Sequence, residues 1–177
     1  MIHPSVELRD NLPAFFNQLG FKIGAEIGVK EGGFSLKLCK GIPNLELYCI
    51  DAWHRYLGSK ERRDEVQEAR YNLCVERLAK PYGAELIRKL SLDAVKDFRD
   101  ESLDFVFIDA NHKFDYVMED IIEWSKKVRK RGIVSGHDYY VFGNAGVIEA
   151  VDAYTKAHKI EQVYFTLDPE TTWFWFK

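Results

Sequence analysis

The stretch Lys22–Ser35, KIGAEIGVKEGGFS, constrains this chain more than any other part of it. Ile23, Ala25, Ile27 and Val29 form a short apolar run, and Gly28, Gly32 and Gly33 punctuate its end and the residues beyond. That is the composition of a buried strand entering a tight glycine turn and then a helix. Glu26 stands near the carboxyl end of the strand. A lone carboxylate is costly inside a core, whereas the crevice outside the strand ends is where open α/β sheets bind ligands. Gly28 and Gly32 carry no side chain, so backbone can come close to whatever lies there. A plainer reading also stands, in which the glycines serve only the packing of a strand-turn-helix corner.

The rest of the chain repeats the alternation. Asp10 to Leu19 reads as a short amphipathic helix, residues 22–27 as the first strand, and Phe34 to Lys40 as a helix stopped by Gly41 and Pro43. Leu45 to Ile50 is the second strand, closing at Asp51. After a loop over 52–60, Glu61 to Lys80 is a long polar helix and Ala84 to Lys89 the third strand. Ser91 is placed to cap a short helix running through Phe98. Leu103 to Ile108 is nearly continuous in apolar residues, as a central parallel strand should be. Phe114 to Lys130 is a helix, Gly132 to Gly136 a strand, Gly146 to His158 a helix, and Glu161–Leu167 with Thr171–Phe176 an antiparallel hairpin around Asp168-Pro169. The pattern predicts one α/β domain over residues 1–177, a doubly wound, mostly parallel sheet with a helical segment over 1–20.

Charge and cysteine usage narrow the setting. A net charge of −3 offers no electrostatic case for nucleic acid or an anionic membrane. No apolar run reaches membrane-spanning length, and the start MIHPSVELRD lacks the apolar core of a signal peptide. Cys39, Cys49 and Cys74 have neither a pairing count nor a metal spacing, so buried reduced thiols and a cytoplasmic location are expected. Trp173 to Phe176 alternate in the last strand and should pack on both faces of the sheet. The charge run Lys60 to Arg63 reads as a solvated helix start or as part of a lid.

Asp51, at the end of the second strand, can accept both hydroxyls of an adenosine ribose; its alternative is a surface acid capping the turn at Ala52-Trp53. Asp109 and Asp138 end adjacent central strands and open onto the crevice at Gly28. Two carboxylates converging there repel unless something positive lies between them. A divalent cation, Mg²⁺ or Mn²⁺, is the simplest such partner, while helix capping by Asp109 and loop-amide contacts by Asp138 form the alternative. His112, three residues past Asp109, titrates near neutrality and could take a proton from an acceptor hydroxyl, or serve only at the helix start. Tyr139, Tyr140 and Phe142 stand where an acceptor would rest; substrate contact and core packing remain equally open for them.

These residues carry a resemblance. Glu26-x-Gly28-x-x-x-Gly32 resembles the first motif of class I S-adenosylmethionine-dependent methyltransferases, acid-x-Gly-x-Gly-x-Gly, with Lys30 in the place of the middle glycine. Ile108-Asp109-Ala110-Asn111-His112, then Tyr116, Asp120 and Trp124, then Gly132 to Gly136 followed by His137-Asp138, is similar to a subfamily holding sugar and macrolide-sugar O-methyltransferases and cephalosporin hydroxylase-like proteins. The resemblance implies a Rossmann-like seven-stranded sheet with an antiparallel end. It implies S-adenosylmethionine held by Glu26, Gly28, Gly32, Ser35, Asp51, Ala52, Ser91, Leu92 and Asp109. It further implies a metal on Asp109, His137 and Asp138, His112 and Asp109 as catalytic residues, and methyl transfer to a hydroxyl of a sugar or other small molecule such as a phenol. An NAD-linked oxidoreductase and a non-catalytic adenosine-binding domain are the other readings. A homo-oligomer is one arrangement consistent with so short a chain.

Overall fold

The apolar run that opens at Ile23 becomes β1 (Ile23–Ile27), and the sheet is built outward from it. The computed structural model describes residues 6–55 and 63–177. A 3₁₀ turn (Arg9–Asn11) and α1 (Leu12–Gln18) precede β1; α2 (Gly33–Gly41), β2 (Glu46–Asp51) and α3 (Asp64–Cys74) come after it. A widened turn (Val75–Ala79) joins α3 to α4 (Lys80–Tyr82). Pro81 supplies the reason for that widening, because its ring crowds the carbonyl one turn earlier. Next come β3 (Glu85–Arg88), α5 (Ser91–Ala94), β4 (Leu103–Ile108), α6 (Phe114–Lys127), β5 (Val128–Gly136), α7 (Val147–Ala157), β6 (Tyr164–Phe165) and β7 (Trp173–Phe176).

The seven strands run in the order β3-β2-β1-β4-β5-β7-β6. All pairs are parallel except those made by β7, which runs against both β5 and β6. The expected doubly wound, seven-stranded sheet with an antiparallel end is therefore what the chain forms. Strand alternation divides the core into two layers. Leu47, Cys49, Phe105, Phe107 and Phe174 pack with α1, α2 and Leu78 on one side. Ala25, Ile27, Val106, Ile108, Trp173 and Trp175 pack with Val117, Ile121 and Trp124 of α6 and with α7 on the other. The aromatic run at the end thus packs on both faces as its period requires, and the three cysteines are buried and free.

Three boundaries and contacts differ from those the sequence pattern predicts. The helix over 114–130 stops at Lys127, and β5 begins at Val128 instead of Gly132. Val128 is fully buried and pairs with Leu103, while Arg129 Nε reaches Asp104 Oδ1 at 2.6 Å, so the chain turns into the sheet early. Ser91 does not cap α5, because Leu90 holds that position and the Ser91 hydroxyl turns to α6. The hairpin strands are also shorter than 161–167 and 171–176, since Thr166 and Thr172 close the turn with their own bonds. The start of the long helix at Glu61 and the charge run from Lys60 to Arg62 lie outside the described residues.

The turn after β1 has internal reasons for its glycines. Gly28 has φ +92°, and a Cβ there would sit 2.1 Å from the Asp109 carbonyl oxygen. Lys30 is left-handed at φ +55°, the backbone region that glycine enters without strain. This is the position where Lys30 replaces a glycine of the resembled motif. Lys30→Gly should accordingly raise stability by about 0.5–1 kcal/mol, seen as a higher denaturant midpoint with an unchanged slope; a lower midpoint would show that the lysine side chain outweighs its backbone strain.

Candidate active site

Strand order reverses direction between β1 and β4, and the residues singled out by their spacing lie at the carboxyl ends of strands around that point. The Asp109 amide donates to the Ile27 carbonyl at 2.7 Å, and the Gly28 amide donates to the Ile50 carbonyl at 2.8 Å, so the ends of β1, β2 and β4 are tied together. Asp51 closes β2 with both carboxylate oxygens engaged. Oδ2 accepts from the Lys30 amide at 2.8 Å and Oδ1 from the Trp53 amide at 3.1 Å. Trp53 in turn donates its indole N–H to the Lys30 carbonyl at 2.8 Å, and its own carbonyl accepts from Arg88 Nη2 at 2.7 Å. No motif points to Trp53, although it stands only two residues past the acid. It is fully buried and left-handed at φ +42°, locking the β1 turn to the end of β2.

Glu26 does not open onto the crevice. It is buried and accepts a hydrogen bond from the Ser35 hydroxyl. Burial pushes its carboxyl up to about 8, against the lowering effect of Ser35. Of the residues expected around the cofactor, Glu26, Gly32, Ser35 and Ala52 are buried, while Gly28, Asp51, Leu92 and Asp109 keep exposure at or just past the strand ends. The Ser91 hydroxyl is committed: it donates to Asp120 and accepts from Trp124 Nε1 at 2.8 Å. A cleft of about 780 Å³ lies to one side, between Trp53 and Arg88 and the α3 residues Glu65 and Glu68. It does not cover the acidic cluster.

Asp109, His112, His137 and Asp138 converge as expected. His112 Nε2 lies 3.0 Å from Asp138 Oδ2 and 3.5 Å from Asp109 Oδ1. His137 Nδ1 lies 3.2 Å from Asp138 Oδ1 and 3.7 Å from Asp109 Oδ2. The two carboxylates therefore sit between two imidazoles, each acid turning one oxygen to each ring. Asp138 reaches this position through a left-handed backbone, φ +61°. The positive partner that the two acids require is present as His112. Burial alone would lower its pKa, but the hydrogen bonds and charges of Asp109 and Asp138 outweigh that and lift it to about 9, above the near-neutral value expected. Burial would raise Asp138; the two histidines hold it well below the ordinary carboxylate range instead. Asp109, His137 and Asp138 each present one ligand atom, all within 4.8 Å of one another. Two carboxylate oxygens and one imidazole nitrogen at such spacing suit a divalent cation, and His112 faces the oxygens that such an ion would leave free. Below them, Trp173 Nε1 donates to the His137 carbonyl at 3.2 Å. Gly136 makes room for that ring, since a Cβ there would fall 2.3 Å from it.

Residues 25–139, more than half of the chain, match the family described as a methyltransferase domain. The chain belongs to that family. Among solved structures it resembles the O-methyltransferase from Bacillus cereus in complex with SAH, with a TM-score of 0.69 at 14% identity, covering 98% of this chain and 84% of that one. It also resembles the O-methyltransferase TomG from Streptomyces achromogenes in complex with SAM, with a TM-score of 0.66 at 14% identity over 94% of this chain and 77% of that one. At those identities the likeness establishes the fold, that of class I S-adenosylmethionine-dependent methyltransferases. A curated relative from Sinorhizobium fredii, the uncharacterized protein y4gI, is 23% identical over 117 residues, which is 66% of this chain and only 12% of that protein.

Two further groups bear on the site. Arg9, from the 3₁₀ turn before α1, reaches His137 Nε2 through Nη1 at 2.9 Å, a contact across 128 residues that no motif signals. Asp120 is buried on α6 with the Ser91 hydroxyl as its partner, and burial lifts its carboxyl to about 7. A raised acid holds its proton longer folded than unfolded, so its stabilising share is complete below about pH 4 and is lost as pH rises through about 7. Denaturant unfolding at about pH 5 and pH 8 should show a fall on the order of 2–3 kcal/mol from this group. Asp120→Asn, which keeps an acceptor for Ser91, should make the fall shallower by that amount and leave the share that Glu26, lifted to about 8, contributes over the same range; an equally steep curve in the variant would place its origin elsewhere.

Proposed function

We propose that this chain transfers a methyl group from S-adenosylmethionine to the hydroxyl oxygen of a small acceptor, a sugar or a phenol. The observation that carries the reading is the placement of the Asp109–His112–His137–Asp138 cluster directly against the Gly28 turn, with Asp51 at the next strand end. The family match favours it over a nicotinamide-linked reaction, as does a β1 turn that lacks the Gly-x-Gly-x-x-Gly pattern for a pyrophosphate.

In this reading the ends of β1 and β2 would hold the adenosine. Each oxygen of Asp51 already accepts one amide and keeps a lone pair for a ribose hydroxyl. Leu92, exposed on α5, would meet the adenine, with Ser91 and Asp120 holding α5 in place. His112 turns Nε2 to the two acids and leaves Nδ1 without a partner, beneath the edge of Phe142 with ring centres 5.4 Å apart. The acceptor enters by displacing Phe142, whose ring stacks on Tyr140 at 4.6 Å and offers an aromatic face. S-adenosylmethionine, when bound, would supply the methyl group from its sulfonium to the acceptor oxygen, and the hydroxyl proton would pass to His112 Nδ1 where the ring is neutral, a fraction that grows as pH rises towards about 9. Asp109 and Asp138 orient the imidazole and stabilise its charged form. Tyr139 is held away from this space, its hydroxyl on Asp152 at 2.7 Å. Asp109, His137 and Asp138 would hold Mg²⁺ or Mn²⁺, which would lower the pKa of the acceptor hydroxyl when bound. Among the described residues no helix is long and apolar enough to cross a membrane, and the three free buried cysteines agree with a cytoplasmic setting.

Calorimetry with S-adenosylhomocysteine should give binding in the micromolar range, about −8 kcal/mol, weakened by roughly 1.5–3 kcal/mol in Asp51→Ala. Tighter binding of NAD would overturn the assignment. His112→Ala should lower kcat by roughly 10²–10⁴-fold with S-adenosylhomocysteine affinity unchanged. Near-full activity in that variant would leave the histidine a purely structural role.

A further inference from the structure

Arg9 sits on the one ring that both the acidic cluster and a cation would use. A guanidinium has donors only, so the 2.9 Å contact from Nη1 requires His137 Nε2 to be the acceptor. A neutral imidazole with Nε2 accepting carries its proton on Nδ1, and that N–H points at Asp138 Oδ1, 3.2 Å away, and at Asp109 Oδ2, 3.7 Å away. Rotating the ring by half a turn would set carbons against both Arg9 and the acids, so the arrangement admits one tautomer. A divalent ion bound by Asp109, His137 and Asp138 needs the opposite one. It takes the Nδ1 lone pair, the proton moves to Nε2, and two N–H donors then face each other at Arg9. One of them must leave. His137 is only 7% exposed and is held from below by Trp173, whereas Arg9 is half-buried on a three-residue 3₁₀ turn.

We propose that Arg9 is a resident competitor for the divalent cation: it fixes His137 in the tautomer that an ion cannot use, and ion binding requires its release. The inference rests on the reading of Asp109, His137 and Asp138 as a cation site. The competitor is built in by more than one contact. The Arg9 guanidinium lies over the Phe34 ring, 5.6 Å from its centre. The Arg9 amide donates to Asp168 Oδ2 at 2.5 Å, and the Leu167 amide donates to the Glu7 carbonyl at 2.7 Å. The same β6–β7 turn returns to the cluster, because the Tyr139 amide donates to the Thr171 carbonyl at 2.9 Å, one residue past Asp138. Residues 7–9, the Asp168 turn and the cluster are therefore one connected unit, and withdrawing Arg9 loosens the first of these against the second. Charge acts in the same direction. A divalent ion on Asp109, His137 and Asp138 would place a second strong positive charge beside the Arg9 guanidinium.

The test is Mn²⁺ binding by calorimetry to the wild-type chain, Arg9→Met and Arg9→Lys. Methionine keeps an apolar stem over Phe34 and removes the donor, so its Mn²⁺ affinity should rise about tenfold or more, the scale of contacts made to a metal-binding histidine. Lysine still donates to Nε2 and should stay near wild type. Mn²⁺ should also speed amide exchange at residues 7–12 and 167–168 in the wild type but not in Arg9→Met. A residue that merely supports the fold would lower the affinity when removed, so equal or weaker binding in Arg9→Met overturns the proposal. Absence of Mn²⁺ binding in both chains overturns it too, as does wild-type binding that survives Asp109→Asn. Titration with S-adenosylhomocysteine separates the two readings: its loss would strike the methyltransferase assignment and leave the competition between Arg9 and Mn²⁺ standing.

Discussion

The structure depends on one close approach. The carbonyl of Asp109 runs against Gly28 so tightly that no side chain fits between them, and this contact brings the ends of β1 and β4 together where the strand order reverses. Everything with chemical potential is hung from it. Asp51 is fixed through Lys30 on one side, Asp109 through the Ile27 carbonyl on the other, and His112 three residues later by the turn that leaves β4. The motif glycine is usually explained by the nearness of a ligand. Here the chain's own backbone already requires it, so the glycine would be retained even by a protein that had lost its cofactor.

Electrostatics then settles how two acids coexist at the strand ends. Asp109 and Asp138 share His112 on one side and His137 on the other, and Arg9 backs His137. The cluster is balanced by the chain's own cations, which makes it stable without an ion but does not remove the donor atoms an ion would use. Glu26 obeys a different rule. With burial dominating, it keeps its proton to about pH 8 and acts as a neutral partner of Ser35. Acids at neighbouring strand ends therefore play unlike parts, because Asp109 faces histidines and Glu26 faces the core.

The parallel sheet was legible because its strands are continuous apolar runs separated by helical periods, and β1, β2, β3 and β4 fall within a residue or two of their expected bounds. The convergence of Asp109, His112, His137 and Asp138 was legible for a related reason: strand ends of a parallel sheet share one edge, so acids at the ends of adjacent strands must meet. The features hidden from the sequence are those set by tertiary partners. The early entry into β5 depends on Val128 burial and the Arg129–Asp104 pair. The Ser91 hydroxyl takes Asp120 and Trp124, some thirty residues away, over its own helix. Motif position sets Glu26 in the crevice, but strand alternation sets it on the α2 face with Phe107 and Cys49. Period decides between the two, because the pleat fixes which face a side chain takes and a motif does not.

The match to the methyltransferase-domain family ends at Tyr139, yet the site is held from beyond that point. Trp173 supports the His137 carbonyl from beneath, and it can do so only because Gly136 leaves space for its ring. Asp168 fixes the Arg9 backbone, and Thr171 fixes the residue after Asp138. These contacts come from β7 and its turn, whose antiparallel course returns the chain along β5 to the same edge of the sheet. A motif scan sees donors and acids but not what orients them. For this chain the orienting groups come from residues 7–9 and 166–175, which reach the cluster from opposite ends of the sequence and meet each other at Asp168. Substitutions there would disturb His137 without touching any residue of the motif, so variation in the last hairpin belongs in any account of how this site is tuned.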